Sequence, residues 1–238
     1  MNANTMPRRA LFILLPLLLA AAVSAQAQST AKPTAAGKWL DKRGHAPIHG
    51  DAAAGQTKSE VCRACHGQDG NTPVPTFPNL GGQRTDFLYW ELIELKHGYR
   101  YQSPMTEQLA PLSDQDVRDL AAFFASQPLA HAHDASADPA AIELGERIFH
   151  SGDAQRGVPP CQGCHGTNAG GIAQRPGWPI LQGQHPAYLA ARLRAYRDGD
   201  PPNSSNDFIM NGVARGLDDA AIDGLAAWLV SRGGTQHQ

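Results

Sequence analysis

The four cysteines of this 238-residue chain are the feature that most constrains its fold. They form two pairs with the same spacing, and a histidine directly follows each pair. Cys-x-x-Cys-His is the attachment motif of c-type haem, because two thiols add across the vinyl groups of one haem and the next residue then lies beneath the iron. The sequence therefore predicts two covalently bound haem c groups. The residues that carry this prediction are Cys62, Cys65, His66, Cys161, Cys164 and His165.

Other uses of paired cysteines explain the pattern less well. An exported protein could form two disulfides, and two Cys-x-x-Cys pairs could bind one zinc ion. Neither use requires a histidine after each pair, and zinc-binding pairs usually lie closer together than the 99 residues that separate these. A thioredoxin-like site needs one pair beside a βαβ pattern, and strand-like alternation is hard to find here.

Methionine gives a second, independent indication of haem. Beyond the first 27 residues the chain has only two methionines: Met105 lies 39 residues after His66, and Met210 lies 45 residues after His165. One methionine per motif at a similar distance is what His/Met axial ligation of iron requires. The alternatives are that both methionines fill gaps in a core or that one iron lacks a sixth ligand. We predict these two histidines and two methionines as the iron ligands.

An internal repeat divides the chain into two similar halves. Residues 77–83 (FPNLGGQ) correspond to residues 178–184 (WPILQGQ) at an offset of 101. Apolar residues at helical spacing follow in both halves, and they predict two helices in each. The fold class predicted is therefore all-α, with two small helical bundles that each surround one haem. The apolar residues are Leu88, Leu92, Leu95, Val117, Leu120 and Phe124, then Leu189, Leu193, Tyr196, Ile222, Leu225 and Leu229.

Particular glycine and capping residues predict where helices cross and where they begin. Gly145 lies inside a predicted first helix, where glycine is costly unless another segment approaches closely. We interpret Gly145 as the point where the first and last helices cross; for Gly55 in the first half, a surface position is an equally good interpretation. Ser113 with Asp116 predicts a capping box, and Asp218 predicts an N-cap.

The N-terminus is typical of an export signal. Arg8 and Arg9 precede an apolar run over residues 11–22 that is too short to span a bilayer, and small residues follow it. A retained anchor is the alternative. The predicted organisation is a signal peptide over 1–27, a mobile N-terminal extension over 28–49, a first domain over 50–130, a linker over 131–137 and a second domain over 138–238. The predicted location is the periplasm.

The charge and motif content exclude several functions. The net charge is −2, and it becomes −4 without the two signal arginines, so binding to nucleic acid through phosphate attraction is not expected. No Ser-His-Asp arrangement, phosphate-binding loop or paired-carboxylate context can be identified. An iron with both axial positions filled has no site for a substrate. The sequence therefore favours an electron-transfer protein over an enzyme.

With these motifs the chain resembles dihaem cytochromes of the cytochrome c4 type, which consist of two tandem class I cytochrome c domains. The similarity extends over residues 50–232. The stretches that carry it are residues 62–71 (CRACHGQDGN), 77–80 (FPNL), 111–116 (PLSDQD) and 209–214 (IMNGVA).

The resemblance implies a soluble or loosely membrane-associated electron carrier of the bacterial periplasm. Its donor would be a quinol–cytochrome c reductase or a dehydrogenase, and its acceptor a terminal oxidase. The resemblance also implies that the carbonyls of Pro78 and Pro179 orient the proximal histidines. Two rival functions stay open: a cytochrome subunit of a dehydrogenase or oxidase complex, with the same ligands, and a dihaem peroxidase, which would need one displaceable iron ligand.

Overall fold

The computed structural model describes Met1 and residues 39–99, 103–130, 137–199 and 203–232. These residues form α-helices and two isolated β-bridges, which confirms the predicted all-α fold. The predicted signal peptide apart from Met1, most of the predicted linker and the first part of the predicted extension lie outside the described residues. The helices are α1 (Ala52–Lys58), α2 (Glu60–His66), α3 (Thr85–Lys96), α4 (Pro104–Leu109), α5 (Asp114–Ala125), α6 (Pro139–Ser151), α7 (Gln162–His165), α8 (Pro186–Arg197), α9 (Ser205–Ala214) and α10 (Asp219–Ser231).

The last helix of each half begins at the predicted cap. The Ser113 hydroxyl accepts a hydrogen bond from the Asp116 N–H at 3.2 Å, while the Asp116 carboxylate accepts one from the Ser113 N–H at 2.9 Å. Asp218 accepts from the Ala221 N–H at 2.8 Å. These caps satisfy amide groups that the first turn leaves without helical partners. Both predicted start points are therefore confirmed.

Each half buries a hydrophobic core of its own. In the first half, α5 packs against α1 and α3, and Val117 and Leu120 are fully buried. In the second half, α10 packs against α6 and α8, and Trp228 lies 4.3 Å from Phe149 between ring centroids. The predicted apolar stripes of the last helices face these cores. Among the described residues, no helix has the length and apolar character that a membrane span needs.

Two glycines allow the first and last helices to cross closely. A Cβ atom at Gly145 would lie 1.9 Å from the Gly224 carbonyl oxygen, and one at Gly55 would lie 2.0 Å from the Asp119 carbonyl oxygen. No side chain can occupy that space without moving one backbone away from the other. The crossing predicted at Gly145 is confirmed, and Gly55 lies at the equivalent crossing rather than on the surface.

Residues 39–49, which we call the strap, run across both halves. The Leu40 N–H donates to the Asn203 carbonyl at 2.8 Å, and the Lys42 N–H donates to the Ser205 hydroxyl at 3.0 Å. Further along the strap, Ile48 is buried in the core of the first half. The prediction of a mobile extension is therefore wrong for residues 39–49. Sequence periodicity could not reveal the strap, because its contacts involve single residues rather than a repeating apolar face.

A buried ion pair fixes the strap to α3. The Lys42 Nζ lies 2.7 Å from a Glu94 carboxylate oxygen and 3.5 Å from one of Glu91, and the side chains of Lys42 and Glu94 are almost fully buried. Burial alone would lower the pKa of Lys42, but the two carboxylates outweigh this effect and raise it. Lys42 therefore stays charged, and it links the strap to the first half at the point where its backbone contacts the second.

Candidate haem sites

The two attachment motifs lie at the C-terminal ends of short helices. In the first half, α2 carries the whole motif and ends at His66. In the second half, Cys161 caps α7, a single turn that ends at His165. Pro159 and Pro160 precede this turn, and proline does not fit the interior of a helix. The sequence thus makes the second helix shorter, while the Cys-x-x-Cys-His residues keep the same helical relationship.

The histidine of each motif is buried and held by a proline carbonyl. His66 is 5% exposed and its Nδ1 lies 3.0 Å from the Pro78 oxygen. His165 is 7% exposed and its Nδ1 lies 3.0 Å from the Pro179 oxygen. A carbonyl oxygen can only accept, so this contact places the proton on Nδ1 and leaves Nε2 with a lone pair for a metal. The predicted proline contacts are confirmed in both halves.

Burial shifts the pKa values of both motif histidines and of two of the motif cysteines. Desolvation lowers the pKa of His66 and His165, and neutral imidazole is the form that binds iron. No disulfide joins any of the four cysteines, so each sulfur is available for attachment to haem. Burial raises the pKa of Cys62, and it raises that of Cys161 to about 11. A thioether carries no charge, so burial does not disfavour the bond that would replace each thiol.

The two methionines lie on corresponding helices, half-buried in each case. Met105 is the second residue of α4, which packs on α3. Met210 is the sixth residue of α9, which packs on α8. The methionine therefore follows the repeated helix in both halves, although it lies four residues deeper in α9.

An inserted helical turn explains this difference. The N-caps of α4 and α9, Ser103 and Ser204, keep the repeat offset of 101. From the methionines onwards the offset is 105, and it is also 105 between the N-caps of the last helices, Ser113 and Asp218. Four residues are close to one turn of an α-helix. The insertion thus keeps Met210 on the same helix face and in the same register to the last helix as Met105.

Apolar side chains are exposed beside the motif residues. Val61, next to Cys62, is 65% exposed, and Phe77 is 39% exposed with its ring centroid 6.1 Å from that of His66. Phe208 and Ile209, directly before Met210, are 64% and 41% exposed. A flat apolar group bound at these residues would remove their surface from water, which is favourable. Together with the cysteine sulfurs and the imidazole lone pairs, these surfaces fit a haem in each half.

Among the residues that the structure describes, the other histidines and the acidic groups form no comparable site. His97 ends α3, and His185 begins α8 with its Nε2 2.8 Å from the Thr72 carbonyl oxygen. Within the described ranges, no three His, Cys, Asp or Glu side chains lie together in a way that could hold a bare metal ion.

Sequence reasoning missed a reciprocal junction between the two halves. Gln184 accepts a hydrogen bond from the Asn79 N–H at 2.8 Å and donates to the Asn79 carbonyl at 3.0 Å. In the same way, the Gln83 side chain accepts a hydrogen bond from the Ile180 N–H at 2.9 Å and donates one to the Ile180 carbonyl at 2.8 Å. Both glutamines are less than 10% exposed. The repeat had marked both segments, but a repeat indicates similar local structure and not that the copies bind each other.

The comparisons with known proteins agree with this geometry. The sequence model of the cytochrome c family matches residues 52–128 and 142–233. Cytochrome c4 of Pseudomonas aeruginosa is 42% identical over 190 residues, which cover 80% of this chain and 92% of that protein. The thiosulfate dehydrogenase electron acceptor of Thiomonas intermedia is 32% identical over 181 residues, which cover 76% of this chain and 82% of that protein.

A solved structure extends the similarity to the arrangement of both halves. The crystal structure of reduced recombinant cytochrome c4 from Pseudomonas stutzeri matches with a TM-score of 0.69 and 42% identity, over 76% of this chain and 98% of that chain. The two cysteine pairs, one in each family match, attach two haem c groups. This protein therefore belongs to the cytochrome c4 family of electron carriers, with two tandem cytochrome c domains.

Proposed function

We propose that this protein carries electrons between respiratory-chain partners in the periplasm through two His/Met-ligated haems. His66 and Met105 would hold the first iron, and His165 and Met210 the second. The observation that carries the proposal is the pair of buried histidines, each oriented by a proline carbonyl with its Nε2 free to bind. The methionine that follows the repeated helix in each domain supports the second ligand.

The haem supplies one-electron chemistry between ferric and ferrous iron. The side chains determine how readily that change occurs. A thioether sulfur raises the reduction potential relative to a second imidazole. The proline carbonyl fixes the ring of each histidine, so the ligand keeps one orientation in both redox states. Because no iron position is left for a substrate, we propose a carrier rather than an enzyme.

The proposed location and partners rest on sequence and similarity. The segment over residues 1–27 has the features of a cleaved export signal. A quinol–cytochrome c reductase or a dehydrogenase would be the donor, and a terminal oxidase the acceptor. The name of the Thiomonas relative, an electron acceptor of thiosulfate dehydrogenase, supports a dehydrogenase as donor. It also supports the second candidate function, a cytochrome subunit of a dehydrogenase complex, which co-purification from the native host would reveal.

The exported protein is expected to carry two haems. Intact mass spectrometry should give the polypeptide with an N-terminus at Gln26 or Gln28 plus two haem additions, because all four cysteines lie within the two motifs. A reduced-minus-oxidised spectrum should show only low-spin c-type haem. Expression without residues 1–27 is the control and should yield protein without haem, since haem is attached after export. A single haem, or a free thiol in the mature protein, would contradict the proposal.

Electron transfer to the partner is expected to depend weakly on salt. Three arginines on α8 could form a docking patch, and each has a neighbour in the structure: Arg192 lies over the Tyr196 ring, Arg194 binds Asp219 and Asp223, and Arg197 binds Asp198 and Asp219. The mature chain has a net charge of only −4, so we expect mainly apolar contact with the partner. Stopped-flow rates at rising ionic strength should change little, whereas rates with ferricyanide, a highly charged oxidant, provide the comparison. A steep fall with the protein partner would contradict the prediction.

A further inference from the structure

Two peptide units each form a hydrogen bond to a motif histidine on one side and to a glutamine of the other domain on the other side. The carbonyl of Pro78 and the N–H of Asn79 belong to one peptide, and so do the carbonyl of Pro179 and the N–H of Ile180. On one side of the first peptide, the Pro78 oxygen accepts from His66; on the other, the Asn79 N–H donates to Gln184 of the other domain.

The second domain repeats this chain of hydrogen bonds in the opposite direction. The His165 Nδ1–H donates to the Pro179 oxygen, and the Ile180 N–H of the same peptide donates to Gln83 of the first domain. Each glutamine oxygen also accepts the N–H of the residue after it, at 2.9 Å for Arg84 and 3.0 Å for His185. These second bonds fix the orientation of the amide, so each glutamine presents its oxygen to the other domain.

A hydrogen bond at one end of a peptide strengthens the bond at the other. When the N–H donates, the amide polarises and its oxygen becomes a better acceptor. A better acceptor for Nδ1–H makes the imidazole a more basic ligand, and such outer hydrogen bonds are among the factors that set haem potentials. A more basic ligand favours ferric over ferrous iron.

We propose that Gln184 and Gln83 are positioning residues that each tune the haem of the opposite domain. Gln184 acts on the first haem through the Pro78–Asn79 peptide and His66. Gln83 acts on the second haem through the Pro179–Ile180 peptide and His165. The inference rests on the proposed histidine ligation. It assigns the domain junction a role in setting the two potentials, in addition to holding the domains together.

The test is a crossed set of substitutions with a matched control. In Gln184→Met, the Asn79 N–H loses its acceptor, and the potential of the first haem should rise while that of the second changes less. In Gln83→Met, the order should reverse. We expect the ferric–ferrous equilibrium of the affected haem to change about twofold, which is about 18 mV at 59 mV per tenfold change.

The control is Gln182→Met, the same substitution two residues from Gln184. Gln182 donates to the Arg232 carbonyl within its own domain at 3.0 Å, whereas the bonds to the two proline peptides are made by His66, Gln184, His165 and Gln83. It should leave both potentials unchanged. The measurement is a redox titration followed by NMR, in which assigned amide resonances of each domain report on the haem of that domain. In the reduced protein, the Nδ1–H resonance of His66 should shift in Gln184→Met and that of His165 in Gln83→Met.

The pattern of the shifts in reduction potential shows whether the two glutamines tune the haems or only hold the domains together. A shift confined to the haem of the substituted domain, an equal shift of both haems, or no shift would overturn the inference. If Gln184→Met does not accumulate with haem, Gln184→Asn keeps an amide but withdraws it by one methylene, and the same crossed shift is expected. A wild-type protein without two low-spin haems would instead overturn the proposed ligation, so the two failures are distinguishable.

Discussion

Met105→Ala is expected to convert only the first haem to a partly high-spin form. The proposed sulfur ligand is removed, and alanine offers no atom that can replace it, so the iron of the first domain loses its sixth ligand. The weak near-infrared band of sulfur-ligated ferric haem should fall to about half, because the second haem still has Met210. Electronic absorption of the oxidised protein and electron paramagnetic resonance measure both effects.

Met210→Ala is the mirror experiment in the second domain. It should remove the other half of the band, and the double variant should remove all of it. Met→His at either position should restore six-coordination while lowering the potential of that haem, since imidazole favours ferric iron more than a thioether does. The control is His185→Ala. The Nε2 of His185 is already within hydrogen-bonding distance of the Thr72 carbonyl, so the whole near-infrared band should persist.

Two outcomes would refute this assignment. A full near-infrared band in Met210→Ala would mean that another residue ligates the second iron. A high-spin haem in the wild-type protein, together with turnover of peroxide, would favour the dihaem peroxidase over the carrier. Both outcomes are visible without knowledge of the natural partner.

Gly145→Ala is expected to lower the free energy of unfolding substantially. The new methyl would lie 1.9 Å from the Gly224 carbonyl oxygen, which belongs to the backbone of α10 and cannot rotate away. The helices α6 and α10 must therefore separate, and the contacts around Phe149 and Trp228 loosen. We expect a destabilisation of about 3 kcal/mol, at the upper end of overpacking effects.

A second glycine gives a control with the opposite sign. Gly212 lies in the interior of α9, is exposed, and has no atom within 4 Å of the position of its Cβ. Gly212→Ala should therefore stabilise the protein by about 0.4–1 kcal/mol through helix propensity and reduced freedom of the unfolded chain. Guanidinium unfolding followed by circular dichroism compares the two variants. Equal unfolding midpoints for Gly145→Ala and wild type would show that the crossing can relax.

The haem motifs and the bundle cores could both be predicted from the sequence, because the residues that define each of them lie close together along the chain. A motif such as that at Cys62 is local, since the chemistry of one haem demands all its residues within five positions. The stripe with Val117 and Leu120 is also local, because the helix period brings its members to one face. Even the crossing at Gly145 could be inferred, because an interior glycine is costly unless another segment approaches it.

The junction and the strap could not be found in this way. Gln184 and Asn79 are 105 residues apart, and nothing in either local sequence indicates that they pair. Lys42 and Glu94 likewise form one isolated pair without a pattern. The sequence shows that the two methionines lie at unequal distances from their motif histidines. Only the bounds of α4 and α9 show that an inserted turn of α9 contributes to this difference.

The strap also imposes an order on biosynthesis. Lys42 and Ser205 are 163 positions apart, so the strap leaves the ribosome long before the turn of α9 that it binds. The helices of each core lie much closer together along the chain, and contacts between nearby residues form faster than distant ones. The contacts of the strap with the second domain can form only on a chain that has been synthesised as far as α9. A prematurely terminated chain would therefore lack Asn203 and Ser205, the acceptors for the backbone N–H groups of Leu40 and Lys42, while Glu94, the ionic partner of Lys42, is already present.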